Sequence, residues 1–284
     1  MLGAIIGDIA GSVYEFSNTK DYNFEMFPSG SNFTDDTVMT MAVAEWALDN
    51  DINSDVEVQM KRLEKTMVEY AKCFPCPMGG YGGGFCTWLF YPEQLIDYRT
   101  GKHASGRCPY NSWGNGSAMR TSAIGWLYDD MPTTLRVAET AAAITHNHSE
   151  GIKGAQAVSA AIFMARNGAS KDEIKEYISA KFHYNLELSW EYLHETYGWD
   201  SSCQGTVPQA ITAFLASDDF ESAIRRAVAI GGDSDTLACI TGSIAEAYYK
   251  AIPEYMFAKA MSLLPDRFKN VLEKMKEKGN YTIW

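Results

Sequence analysis

Gly231-Gly232-Asp233-Ser234-Asp235-Thr236-Leu237-Ala238-Cys239-Ile240-Thr241-Gly242-Ser243-Ile244-Ala245-Glu246-Ala247 decides how this chain is read. Two glycines stop whatever precedes them, and two carboxylates and a hydroxyl then open a new helix. Leu237, Ile240 and Ile244 recur at helical spacing. The intervening residues are small, which lets neighbouring helix axes approach closely, as in the buried centre of a large bundle. A second segment has the same construction nearly a domain away. Thr34-Asp35-Asp36-Thr37 precedes the helical run Val38 to Leu48. Either cluster alone reads better as an N-cap with acids complementing the helix dipole than as a metal site. Two together suggest one site, because four gathered carboxylates repel one another unless cations lie between them. Hard oxygen donors in this number suit Mg²⁺, Mn²⁺ or Ca²⁺ rather than zinc.

The rest of the chain reads as a succession of helices. Val56, Met60, Leu63, Met67 and Tyr70 form one stripe, with Ser54 as its cap. Ser170 to Glu173 is a capping box. Phe220, Ala223, Ile224, Ala227 and Val228 form another stripe, ended by Gly231. Pro208 and Pro265 are expected in first helical turns. Segments 138–145 and 154–165 share the small-residue composition of 236–247, and alternating strand patterns are absent. The expectation is an all-α, compact orthogonal multi-helix bundle with a dinuclear metal site. Residues 14–34 and 73–116 are expected to be long ordered loops.

Composition sets the outer limits. The 284 residues are 46% hydrophobic and 21% charged, and no linker divides them, so residues 1–284 read as a single domain. A net charge of −12 disfavours nucleic acid and anionic membranes as partners. No apolar run is long enough to span a bilayer. The first residues lack the basic region of a signal peptide. The six cysteines are scattered and read as reduced, cytoplasmic thiols; Cys73-Phe-Pro-Cys76 has CxxC spacing without a second pair to complete a zinc site.

Four further segments carry chemistry. In Gly3-Ala-Ile-Ile-Gly7-Asp8-Ile-Ala-Gly11, glycines every four residues make a face for tight helix packing. Asp8 would lie on that helix, as partner to a base or behind a metal ligand, and Glu15 just beyond it. Met78 to Phe85 is glycine-rich. Ser112-Trp113-Gly114-Asn115-Gly116 leads into a helix start, where backbone N–H groups can face an anion, although it is not a Walker loop. Trp113 could stack on a base or simply pack. His146, in Thr145-His-Asn-His148, could donate to a phosphate or tie two helices together.

Taken together, GDIAGSVYE, FTDDT, GYGGG, SWGNGSAMR, ITHNHSE and IGGDSDT, in this order over residues 3–236, resemble the ADP-ribosylglycohydrolase family, the dinitrogenase-reductase-activating glycohydrolase and ADP-ribosylhydrolase group. The resemblance implies an all-α fold and a centre of two divalent cations, Mg²⁺ or Mn²⁺. Carried over by motif, Thr34, Asp35, Asp36, Asp233, Asp235 and Thr236 would hold the metals. Glu15, with Asp35 and Asp36, would make up the catalytic set, Glu15 being the candidate for proton transfer. Ser112, Trp113, Gly114, Asn115 and Gly116 would hold adenosine and diphosphate, His146 would lie near the diphosphate, and Gly82, Gly83 and Gly84 would border the distal ribose. The implied activity is metal-dependent hydrolysis of the glycosidic bond at that ribose, on an ADP-ribosylated protein or a small ADP-ribose conjugate. One departure is notable: some arginine-linkage branches use an aspartate in the loop equivalent to 79–90, where this chain has no acid. Two other readings stay open: a non-catalytic ADP-ribose-binding or structural protein on the same fold, and an unrelated two-metal phosphohydrolase, for which a His-Asp dyad is missing.

Overall fold

A computed structural model describes residues 1–278 and Tyr281. The chain is helical, with one two-residue hairpin, β1 (Ile96–Asp97) paired antiparallel to β2 (Lys102–His103). Three helices cover the first quarter: α1 (Leu2–Gly11), α2 (Asp35–Leu48) and α3 (Val56–Cys73). α4 (Gly83–Phe90) follows, then a 3₁₀ turn, Pro92–Gln94, and the hairpin. Two short helices, α5 (Gly116–Met119) and α6 (Ser122–Leu127), lead into α7 (Met131–Ala143), α8 (Ser149–Arg166), α9 (Lys171–Phe182) and α10 (Trp190–Thr196). The remainder is α11 (Cys203–Leu215), α12 (Phe220–Ile230), α13 (Ser234–Tyr249), α14 (Glu254–Leu263) and α15 (Asp266–Glu277). Among the described residues no helix is long and apolar enough to cross a membrane.

The small-residue segment that opened the reading becomes α13, buried over most of its length. α1 lies along it, and the glycines of α1 make the approach possible. A Cβ on Gly7 would fall 2.0 Å from the Ala238 carbonyl oxygen, and one on Gly3 would fall 2.2 Å from that of Gly242. Backbone this close leaves no room for any side chain. The same contact places Gly11 against Asp235, so the packing of two helices brings the end of α1 to the start of α13. Glu246, fully buried on α13, holds the other end: it accepts from Gly3 N at 2.9 Å and from Tyr281 Oη at 2.7 Å, and pairs with the Met1 amino group.

Four sequence expectations change. Pro208 lies in the middle of α11, not in its first turn; the carbonyl it leaves without a donor belongs to the exposed Gln204. Pro265 precedes α15 as its N-cap. α4 occupies part of the stretch read as irregular, because Phe85, Trp88 and Leu89 bury one helical face that the preceding glycines obscure in the sequence. The cap of α3 is Asp55, while Ser54 donates to Asp51. The capping box at Ser170 and Glu173 forms as read.

Candidate active site

The two acidic segments meet. Thr236 Oγ1 donates to Asp36 Oδ1 at 3.3 Å, across 200 residues of sequence. α2 and α13 therefore point their N-termini into one cleft of about 380 Å³. Asp35, Asp36, Asp233, Asp235, Thr236 and Glu15 all line it. Carboxylate oxygens of Glu15, Asp233 and Asp235 lie within 4.8 Å of one another. Thr34 is engaged as the N-cap of α2, its hydroxyl accepting from Asp36 N at 3.1 Å, and does not line the cleft.

Asp8 fixes one half of this arrangement. Among the described residues its carboxylate meets no base; it accepts from Thr34 N at 3.0 Å, Thr37 N at 3.0 Å and the Thr37 hydroxyl. A buried anion at the start of α2 gains from the helix dipole and orients Asp35 and Asp36. Burial still raises its carboxyl to about 6, against the lowering effect of those hydrogen bonds.

Asn18 fixes the other half. Its amide nitrogen donates to the carbonyls of Tyr14, Glu15 and Gly232 at 2.6, 2.8 and 2.9 Å, and its oxygen accepts from Gly232 N at 2.6 Å. Lys20 adds contacts to the Ile230 and Tyr197 carbonyls. The loop carrying Glu15 is thereby sewn to the one carrying Asp233. Gly79 comes up against Glu15 from the third side. Its φ is +75°, and a Cβ there would lie 2.7 Å from Glu15 Oε2.

The charges are poorly matched. Burial, then the neighbouring carboxylates, raise Asp35, Asp36 and Asp235 well above the usual range. Glu15 is pushed up to about 7 by burial, then by Asp233 and Asp8. Asp36 Oδ2 and Asp235 Oδ1 are buried with no hydrogen-bond partner among the described residues. Orphaned buried oxygens in a cluster of like charges are what a cation site offers before its cation. The donor set fits hard divalent cations.

Another part of the lining is built from neutral groups. Gly114 pairs with Ser202 in an isolated bridge, and Asn115 N donates to Ser201 O at 2.8 Å. These bonds hold the segment 112–116 as a ledge leading into α5. Ser112, Gly114, Asn115, Gly116 and His146 line the cleft, as do Gly82, Gly83 and Gly84 at the start of α4. The Asn115 side chain turns to the acidic end, donating to Asp233 Oδ2 at 2.8 Å and to Thr206 Oγ1 at 3.1 Å. Trp113 lines an adjoining hollow with Tyr110, Asn111, Asp200, Ser201 and Ser202, its ring edge-on to His148.

Sequence reasoning missed several lining residues. Phe16 and Trp199 stack at the rim, ring centroids 5.6 Å apart. Tyr81, Tyr110 and Arg120 also face the cleft. Neither Asn18 nor Trp199 belongs to a pattern with its partners, so spacing carried no signal for them. Arg120 ends the quoted SWGNGSAMR segment and could have been singled out as the one base there.

Known proteins resemble this chain over most of its length. The family model described as ADP-ribosylglycohydrolase matches residues 1–279. The ADP-ribosylhydrolase ARH3 of Mus musculus is 26% identical, over 89% of this chain and 84% of that protein. The ADP-ribosylarginine hydrolase Tri1 of Pseudomonas putida (strain GB-1) is 24% identical, over 88% of this chain and 69% of that protein. A solved structure titled "ADP-ribosylglycohydrolase-related protein complex" superimposes with a TM-score of 0.67 at 22% identity, covering 98% of this chain and 96% of that one; it shares the fold.

Proposed function

The chain belongs to the ADP-ribosylglycohydrolase family, and from that premise we propose that it is a metal-dependent hydrolase that releases ADP-ribose from an ADP-ribosylated protein side chain or a small ADP-ribose conjugate. The observation that carries the reading is the Thr236–Asp36 contact, which joins two acidic helix starts in one cleft that a ledge of neutral groups also lines. The match over residues 1–279 supports treating residues 1–284 as one domain. The free thiols support a reducing compartment such as the cytoplasm.

Asp35, Asp36, Asp233, Asp235 and Thr236 would hold two divalent cations, Mg²⁺ or Mn²⁺, with Thr34 shaping the α2 end. Such cations, when bound, neutralise the clustered carboxylates and supply Lewis-acid chemistry at water and sugar oxygens. The chain's own residues do the rest. The bond from the anomeric carbon of the distal ribose to the leaving group breaks, and water adds to that carbon. Positive charge grows on the ribose as the bond lengthens, and the surrounding carboxylates stabilise it. Glu15, half-buried and raised to about 7, is suited to exchange a proton near neutral pH, taking it from the attacking water or giving it to the leaving atom. Asn18 and Gly79 keep its carboxylate at the edge of the cluster. Ser112, Gly114, Gly116 and His146 receive the diphosphate, Trp113 the adenosine side, and Gly82 to Gly84 the distal ribose. A ligand that is anionic at one end and reacts at the other matches a cleft polarised in this way.

The test is a panel of defined ADP-ribosyl conjugates, arginine-, serine- and acetyl-linked, incubated with Mg²⁺, Mn²⁺ or EDTA while free ADP-ribose is measured. Cation-dependent release from at least one linkage is expected. ADP-ribose binding by calorimetry with no release from any linkage would replace the hydrolase with a binding protein.

A further inference from the structure

Arg120 is buried to 1% exposure, yet no carboxylate pairs with it among the described residues. Its Nη2 donates to the Ala141 carbonyl and to Thr145 Oγ1, both at 2.9 Å. Thr145 is fully buried, and its Oγ1 lies 2.7 Å from His146 Nδ1. The direction of this chain can be worked out. A guanidinium only donates, so the Thr145 oxygen accepts from it. The hydroxyl hydrogen then needs an acceptor, and His146 Nδ1 is the one within reach among the described residues. Were Nδ1 protonated instead, two donors would point at Thr145 and its own buried hydrogen would be stranded, which is costly. A neutral imidazole that accepts at Nδ1 carries its hydrogen on Nε2. Burial first, and then Arg120, keep this ring neutral.

Nε2 has no protein partner among the described residues and sits beside the ledge. A Cβ on Gly116 would come within 3.3 Å of it, and one on Gly114 within 3.5 Å, so the two glycines leave the space in front of it open. We propose that Arg120 and Thr145 are positioning residues that lock His146 in the Nε2–H form, making it a fixed hydrogen-bond donor to an anionic phosphate oxygen in the cleft. The arrangement delivers the character of a buried cation to the ligand through two neutral groups. The ligand's identity rests on the functional reading above; the tautomer does not.

The test uses the full-length protein labelled with ¹⁵N-histidine. Long-range ¹H–¹⁵N correlation distinguishes a protonated from an unprotonated ring nitrogen, and loss of a signal in His146→Gln assigns the ring. His146 is expected to show Nε2–H with bare Nδ1. In Thr145→Val the Nδ1–H form should appear and ADP-ribose affinity by calorimetry should fall about tenfold, the effect of losing one oriented hydrogen bond; Thr145→Ser should restore both. A wild-type ring protonated at Nδ1, or a Thr145→Val protein with unchanged tautomer and affinity, overturns the proposal. If Thr145→Val does not fold, the wild-type and Thr145→Ser spectra still decide it. The expected tautomer in a wild-type protein that does not bind ADP-ribose would sustain the relay and sink the ligand assignment instead.

Discussion

At one end of the cleft Glu15, Asp35, Asp36, Asp233 and Asp235 face one another, with two of their oxygens buried and unpartnered. At the other, Ser112, Gly116 and His146 present neutral donors, with Gly114 N–H turned to Ser112 Oγ at 3.1 Å, backed by Arg120, the one Lys or Arg in the lining among the described residues. The acidic end is held by hydrogen bonds to backbone around it, from Asp8 and Asn18, while its charges remain in conflict. The donor end is bonded largely to itself, Gly114 N to Ser112 Oγ and Asn115 N to Ser201 O, although Arg120 Nε is buried with no partner among the described residues. The contrast teaches that like-charge repulsion is concentrated in the first wall, where a cation could bind, while the second carries little of it. Asn115 is the strut between them, belonging to the ledge but bonded to Asp233.

Breaking the acidic wall should have the largest effect. Asp35→Asn and Asp235→Asn should each lower release of ADP-ribose by about 10³-fold, the loss of several kcal/mol of electrostatic stabilisation. Thermal melting in EDTA should show both proteins at least as stable as wild type, because each substitution removes a repelled charge. Activity lost together with the fold would mean that these acids are merely structural. Glu15→Gln should cost about 10²-fold in turnover, as for a lost proton-transfer group. Its ADP-ribose affinity, measured by calorimetry, should stay close to wild type, which separates this residue from the donor wall.

The frame behind the contrast can be attacked next. Gly7→Ala should destabilise the protein by about 3 kcal/mol in denaturant titration, since backbone of α13 fills the space a methyl would need. The metal-free protein should also respond to pH in a definite direction. Asp8 is raised to about 6 and Glu15 to about 7, above their unfolded values, so the folded state holds protons that the unfolded state releases. Stability should be greatest at low pH within the folded range and fall as pH rises from about 4 toward 7. Melting curves in EDTA should drop by a few degrees between pH 5 and pH 8, and added Mn²⁺ should reduce that drop. The smallest effect belongs to the donor side. Trp113 is half-exposed, so Trp113→Ala should weaken ADP-ribose by less than about tenfold, a typical stacking contribution.

The legible parts of the molecule were those that local rules govern. The acidic helix starts, the Ser170 capping box, the glycine face of α1 and the small-residue α13 each announce themselves within a dozen residues. What stayed hidden depends on long-range placement or on local signals that conflict. Asn18 is an ordinary loop amide until Gly232, 214 positions away, is folded against it. Asp8 could be read as a partner for a base, because the backbone N–H groups it meets leave no mark in the sequence. α4 was masked by the glycines that open it, and Pro208 sits mid-helix where the residue whose carbonyl it deprives, Gln204, is exposed. The site residues were easier to find than the groups that hold them, since charges and glycines are conspicuous and the amides that bind carbonyls are not.

Anomalous diffraction from crystals soaked in Mn²⁺ would show whether Asp35, Asp36, Asp233 and Asp235 enclose one cation site. Two anomalous peaks enclosed by these carboxylates are the predicted result. A map with no peak there, from crystals that still bind ADP-ribose along the ledge, would contradict it.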